Sequence, residues 1–174
     1  MVRWIPLSEA AVAALVITVP AHAAVYLTLE QAQQALLPGA TLTYAPVRLS
    51  DEQKQAIEKK SGVNVRETEQ KVWRAGDGSL FILDQVIGKH EYITYAVALN
   101  RDGSVRGIEI MEYKESYGYE VREADWRKQF IGKTSAAPLT LDNDIKNIGG
   151  ATLSCRHVTD GVKRLLAFYD VALK

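Results

Sequence analysis

Tyr92-Ile93-Thr94-Tyr95-Ala96-Val97-Ala98-Leu99, then Asn100-Arg101-Asp102-Gly103, then Val105-Arg106-Gly107-Ile108-Glu109-Ile110-Met111-Glu112 is the stretch on which the fold turns. Ile93, Tyr95, Val97 and Leu99 recur every second residue, so they share one face of a strand. Asn-Arg-Asp-Gly is turn chemistry, and Ile108 and Ile110 on the return run point inward with Glu109 outward. Two such runs around a short turn form an antiparallel hairpin. Upstream, Ser79–Ile87 is an apolar strand entered by an Asp77-Gly78 turn, and Val65–Arg74 alternates as an exposed strand. Thr41–Leu49 alternates too, interrupted by Pro46.

Helices are expected around this sheet. Thr28 and Gln31 make a capping box for a short helix that stops at Pro38-Gly39. Ser50 to Gln53 opens a second, polar helix closed by Ser61-Gly62. Asp51 and Glu52 in its first turn and Lys59 and Lys60 in its last suit the helix dipole, which reads as a solvated face. Glu123–Phe130 is expected to be helical, with Trp126 and Phe130 on one side. Leu139–Asp142 is expected to be extended. Ser154, a good N-cap residue, precedes an amphipathic run in which Val158, Val162, Leu165, Leu166 and Tyr169 share a face. Gly161 inside it costs helix stability, about 1 kcal/mol against Ala, and suggests close packing on the sheet. The fold class is α+β: a twisted antiparallel sheet packed with helices, closed by a C-terminal amphipathic helix.

The chain has 174 residues, 47% of them hydrophobic, with 21 basic and 21 acidic side chains. That is enough for a single core. Zero formal charge gives no electrostatic case for nucleic acid, which would demand a basic excess. Residues 1–23 read as a secretory signal peptide: Arg3, an apolar stretch from Ala10 to Val19, and Ala21-His22-Ala23 as the cleavage site. Cleavage after Ala23 gives a periplasmic protein; an uncleaved membrane anchor is the alternative. Residues 24–78 then form the N-terminal helix and strand region, and 79–174 the remainder of the same domain. Cys155 is alone, which forbids an intramolecular disulfide and fits a buried apolar position. His90 and His157 have no neighbour at metal-ligand spacing. No nucleophile–base pair, phosphate-binding lysine loop or dinucleotide fingerprint is present, so no catalytic residue and no metal site is assigned.

The chemistry gathers at Asn147-Ile148-Gly149-Gly150-Ala151-Thr152-Leu153-Ser154. Paired glycines permit positive φ and a close approach of backbone to a bulky group. They place Thr152 at the mouth of a helix whose first N–H groups lack partners, a site that favours an anion. A plain glycine turn before a helix is the other reading. Lys133 or Lys146 adds a cation there or is a surface charge, and His157 is near enough to the turn for a phosphate or is likewise a surface residue.

Gly-Gly-Ala-Thr-Leu-Ser before a helix resembles the Ser/Thr-Gly-Ala-Thr motif of the FMN-binding domain family, which includes flavin subunits of the sodium-pumping quinone reductase and Rnf complexes. Glu115-Ser116-Tyr117-Gly118 resembles the family's Glu-Thr-Pro-Gly loop. Trp126-Arg127-Lys128-Gln129-Phe130-Ile131-Gly132-Lys133 is similar to its Trp…Gln-Phe…Gly-Lys segment. The resemblance implies FMN as cofactor, bonded through its phosphate to Thr152 by a flavin transferase. It implies contacts from Gly149, Gly150, Ala151, Leu153, Ser154, Glu115, Ser116, Tyr117, Gly118, Trp126 and Lys133. Tyr117, Tyr119 and Trp126 would wall the ring, unless Trp126 is a core residue; Glu115 would orient the loop, unless it is a plain surface acid. The role implied is an exported electron carrier with a quinone-linked or cytochrome partner at the membrane. The family's motifs differ here at three positions: Gly149 replaces Ser or Thr, Lys146 stands where an Asp is usual, and Tyr117 replaces Pro. The alternatives are a non-covalent FMN carrier, or a small exported binding or sensor module of the same fold without redox turnover.

Overall fold

The computed structural model describes residues 24–115 and 117–174. The expected signal peptide (1–23) and Ser116 lie outside the described residues. Seven strands, β1 Ala24–Val25, β2 Leu42–Tyr44, β3 Val47–Arg48, β4 Glu69–Ala75, β5 Leu80–Ile87, β6 Tyr92–Leu99 and β7 Val105–Tyr113, form one antiparallel sheet. The order is β1-β7-β6-β5-β4-β2, with β3 continuing the edge of β4 beyond the break at Pro46. The strand expected from Val65 begins only at Glu69, since residues 62–68 form a loop that leaves the helix Asp51–Ser61.

Period-two alternation sorts the sheet's side chains onto two faces. Ala96, Ala98, Phe81 and Met111 face helix α1 (Leu29–Leu36) through Ala32 and Leu36. Ile82, Ile93, Tyr95, Val97, Leu99, Ile108 and Ile110 face α2 (Asp51–Ser61) and the last helix. Both short helices carry complete capping boxes, Thr28 with Gln31 and Ser50 with Gln53. At the hairpin tip Gly103 has φ of 84°, and a Cβ there would lie 2.2 Å from the ring of Tyr169, so the turn has room only for glycine.

The segment expected to be helical over Glu123–Phe130 is a short α3 (Ala124–Arg127) running on into a 3-10 turn (Lys128–Phe130), with another 3-10 turn (Tyr119–Arg122) ahead of it. Helix α4 spans Thr152–Phe168 and ends in a π-helical turn, Tyr169–Leu173. It starts two residues before the expected N-cap Ser154. Gly150, at φ of 84°, makes the reversal early and leaves Ala151 as the cap residue. Gly161 of α4 meets the sheet as expected: its Cβ would lie 2.3 Å from the Tyr95 hydroxyl and 2.8 Å from a methyl of Val86. Gly161→Ala is therefore expected to destabilise. The helix-propensity gain of about 1 kcal/mol is outweighed by overpacking of about 1–3 kcal/mol, because Tyr95 is held by a buried bond to Asp84 and cannot yield. A urea midpoint below that of the parent protein checks this; an unchanged or higher midpoint refutes it.

Candidate functional site

Helix α4 differs from α1 and α2 in having no side-chain cap and no acidic residue in its first turn. The first backbone bond across its start runs from the Cys155 N–H to the Ala151 carbonyl, 2.9 Å. The N–H groups of the first turn ahead of it are the orphan donors of a helix terminus. Gly149 and Gly150 are exposed, and nothing lies within 4 Å of where a Cβ on either would be. The bend is open rather than filled by the protein's own side chains. Donors, dipole and open space together fit a phosphate.

Thr152 is the first residue of α4 and is half-buried. Its Oγ1 accepts a hydrogen bond from the Asn147 side-chain amide at 3.2 Å, while the Asn147 Oδ1 accepts from the Ile148 N–H, which fixes the amide's orientation. Because Asn147 donates, the threonine's own hydroxyl proton remains available. Asn147 stood inside the quoted motif but no signal in the sequence marked it as Thr152's partner.

The acidic loop is laid against this helix start. The Tyr113 hydroxyl donates to the Tyr117 carbonyl, so the Ser154 hydroxyl, 2.8 Å away, donates to Tyr113. Ser154 is thus buried and bonded across to β7, which is why it does not cap. Gly118 sits in the same crowd: a Cβ on it would fall 2.6 Å from the Tyr113 hydroxyl and 3.2 Å from both Ala151 and Ser154. Glu115 fastens the loop's other end, accepting from the backbone N–H groups of His90 and Glu91. Burial pushes its carboxyl up, but the N–H donors of Glu91, His90 and Lys89 outweigh this and leave it below the usual range. Glu115 therefore fastens the loop to the Gly88–Glu91 turn. Tyr117, whose carbonyl the Tyr113 hydroxyl ties to the start of α4, and Leu153 in its first turn are exposed at 82% and 42%, and Tyr119, next along the loop, at 50%.

Two residues stand elsewhere than as direct ligands. Trp126 is only 4% exposed, packs edge-on against Phe130, and donates its ring N–H to the Lys146 carbonyl at 2.8 Å. Gln129 Oε1 accepts from the Lys146 N–H at 2.7 Å. Trp126 and Gln129 thus hold the strand of chain that leads into the glycine turn, and Trp126 takes the core position rather than that of a ring wall. Lys133, expected as a cation for the phosphate, is paired with Asp144 at 2.9 Å. Leu139–Asp142 is not extended: Leu139 and Asp142 have φ of 47° and 61°, because the loop wraps the Asp144 carboxylate, which also accepts from the N–H groups of Leu139 and Thr140. Cys155 is buried, and burial pushes its thiol up.

Asp144 carries a pH prediction. Burial raises its carboxyl, but the Thr140 N–H, the Lys133 ammonium and the Leu139 N–H together hold it below its ordinary value. A depressed folded value means that its contribution is present above the unfolded value of about 3.9 and is lost as pH falls through the folded one. The stability gap between the parent and Asp144→Asn should be constant above about pH 5 and close on further acidification. Urea midpoints across that range measure it; a gap that widens in acid refutes it.

With the loop, the turn and the Trp126 segment converging on Thr152, the comparison with known families decides the identity: residues 88–167 match the family described as FMN-binding domain. The chain carries an FMN-binding domain. The match spans all three motifs, and FMN is the cofactor it indicates. No curated protein matches the chain. In the FMN-binding domain, the groups that fit the phosphate are the first-turn N–H donors of α4 with Gly149 and Gly150, and exposed Tyr117 and Leu153 lie beside them.

Proposed function

We propose that the protein is an exported electron-transfer flavoprotein whose FMN is joined by a phosphoester to Thr152. The observation that supports this best is the uncapped, unobstructed start of α4, with a bonded but proton-bearing threonine hydroxyl at its first position and the Glu115–Gly118 loop seated against it. Bound flavin supplies the electron chemistry; the chain's residues hold and orient it. The helix terminus stabilises the negative charge of the phosphate, Asn147 aims the Thr152 hydroxyl, and Glu115 and Gly118 fix the loop. Ala151 is buried at the turn while Leu153 and Tyr117 remain exposed where a ring edge would meet a partner.

In this proposal a flavin transferase loads the protein after export, and a quinone-linked or cytochrome protein at the outer face of the cytoplasmic membrane exchanges electrons with it. Periplasmic expression with a transferase tests the attachment. The denatured protein should show an intact mass raised by FMN less one water, and Thr152→Ala should lose that increment. A yellow protein that releases all its colour on denaturation would instead establish non-covalent carriage, and a colourless one the binding or sensor module.

A further inference from the structure

A cavity of about 710 Å³ lies between α4, β4, β5 and the loop that follows α2. Its volume falls in the range of about 300–1,000 Å³ that small-molecule sites occupy. The Thr152 turn does not line it. The two places share only a partition, the Gly88–Glu91 turn: Glu115 accepts from His90 and Glu91 on one side, and His157, on the cavity wall, bonds the Gly88 carbonyl at 3.1 Å on the other.

Asp84, Arg164 and Gln70 line this cavity and are exposed by only 7%, 7% and 8%. Buried charges must be paired, and Arg164 meets Asp84 at 2.5 Å. The pairing leaves hydrogen-bonding atoms over. Asp84 Oδ2 accepts from both Arg164 and the Tyr95 hydroxyl, and Oδ1 has no protein partner among the described residues. Gln70 gives its Nε2 to the Leu83 carbonyl and keeps Oε1. Arg164 uses Nη2, out of five N–H donors, on Asp84. None of these leftover atoms is sealed from solvent, so the cavity is where they open. Charge cancels across the ion pair, so this floor does not select an ion. It sets acceptors beside donors, the complement of an N–H next to a C=O. Val86 and Ile87 make an apolar wall, and Tyr92, 51% exposed, stands at the mouth.

We propose that this cavity is a second binding site, separate from the FMN site, for an uncharged flat heterocycle that presents an imide-type edge. Lumiflavin, a flavin ring without the phosphate-bearing chain, is the probe, and its N3-methyl derivative lacks the imide N–H. Asn64 is exposed on the cavity's rim loop, so Asn64→Trp fills the space without entering the core. Calorimetric titration should find one lumiflavin bound per FMN-loaded chain freed of excess FMN, and the same site in Thr152→Ala, which separates this outcome from any failure of FMN attachment. Binding should weaken at least about tenfold in Asn64→Trp, and as much for the N3-methyl derivative on the parent chain. No saturable binding to Thr152→Ala, equal binding to Asn64→Trp, equal binding of the N3-methyl compound, or loss of the site on FMN loading would each overturn the proposal.

Discussion

Arg164→Ala is expected to destabilise the protein by about 3–5 kcal/mol, the cost of leaving one member of a buried ion pair without its partner. Arg164 and Asp84 have side chains only 8% and 5% exposed, and they tie the fourth turn of α4 to the centre of β5. Burial alone would lower the Arg164 guanidinium, but Asp84 beside it holds it above its ordinary value, so the guanidinium stays charged. Tyr95 completes the cluster from β6, and burial with the adjacent Asp84 carboxylate pushes its phenol well above the usual range. Removing the arginine leaves a nearly buried carboxylate on the cavity floor with one hydroxyl to satisfy it. The double variant Arg164→Met with Asp84→Leu should recover most of the loss, since replacing both charges by apolar groups is often neutral. Urea denaturation of the two variants measures both effects. If Arg164→Ala unfolds within about 1 kcal/mol of the parent, the pair is not the link between α4 and the sheet that its burial indicates.

Gly118→Ala is expected to lower stability and empty the FMN site together. Its φ of 89° is strained for any other residue, at about 1–2 kcal/mol, and the added methyl would lie 2.6 Å from the Tyr113 hydroxyl. Overpacking there adds about 1–3 kcal/mol. To relieve the clash the Tyr113 bonds to Tyr117 and Ser154 must break, and these join the acidic loop to the start of α4. Gly132→Ala is the control: its φ is 78° but nothing lies within 4 Å of its Cβ, so it carries the backbone cost alone. The flavin content after co-expression with a transferase should fall in Gly118→Ala and hold in Gly132→Ala. Equal loading of both would separate the loop from the function of the turn.

Much of the fold is legible because it rests on local chemistry. The hairpin over Tyr92–Glu112 reads from alternation around a turn, and both capping boxes read from residues three apart. Gly161 reads as a close contact because glycine mid-helix otherwise has no reason to be there. The Thr152 turn is legible from its glycines. What failed was local inference where a distant group competes. Ser154 has the chemistry of a cap, but Tyr113, forty-one residues earlier, takes its hydroxyl. Lys133 has the charge for a phosphate, but Asp144 takes it. Leu139–Asp142 has no turn signal, yet it bends because one carboxylate collects three donors.

By itself, then, the sequence determined the central strands and the main helices, the order of the hairpin strands and the place of the threonine, since periodicity, turn residues and caps act within a few positions along the chain. Only the tertiary structure decided that the loop at Glu115 and the turn at Gly149–Thr152 are neighbours, that Asn147 rather than a lysine attends the threonine, and that Asp84, Tyr95 and Arg164 meet beside a cavity. Those pairings join residues up to eighty positions apart, and hydrogen-bond and ion-pair partners at such separation are chosen by packing of the sheet against α4, not by spacing.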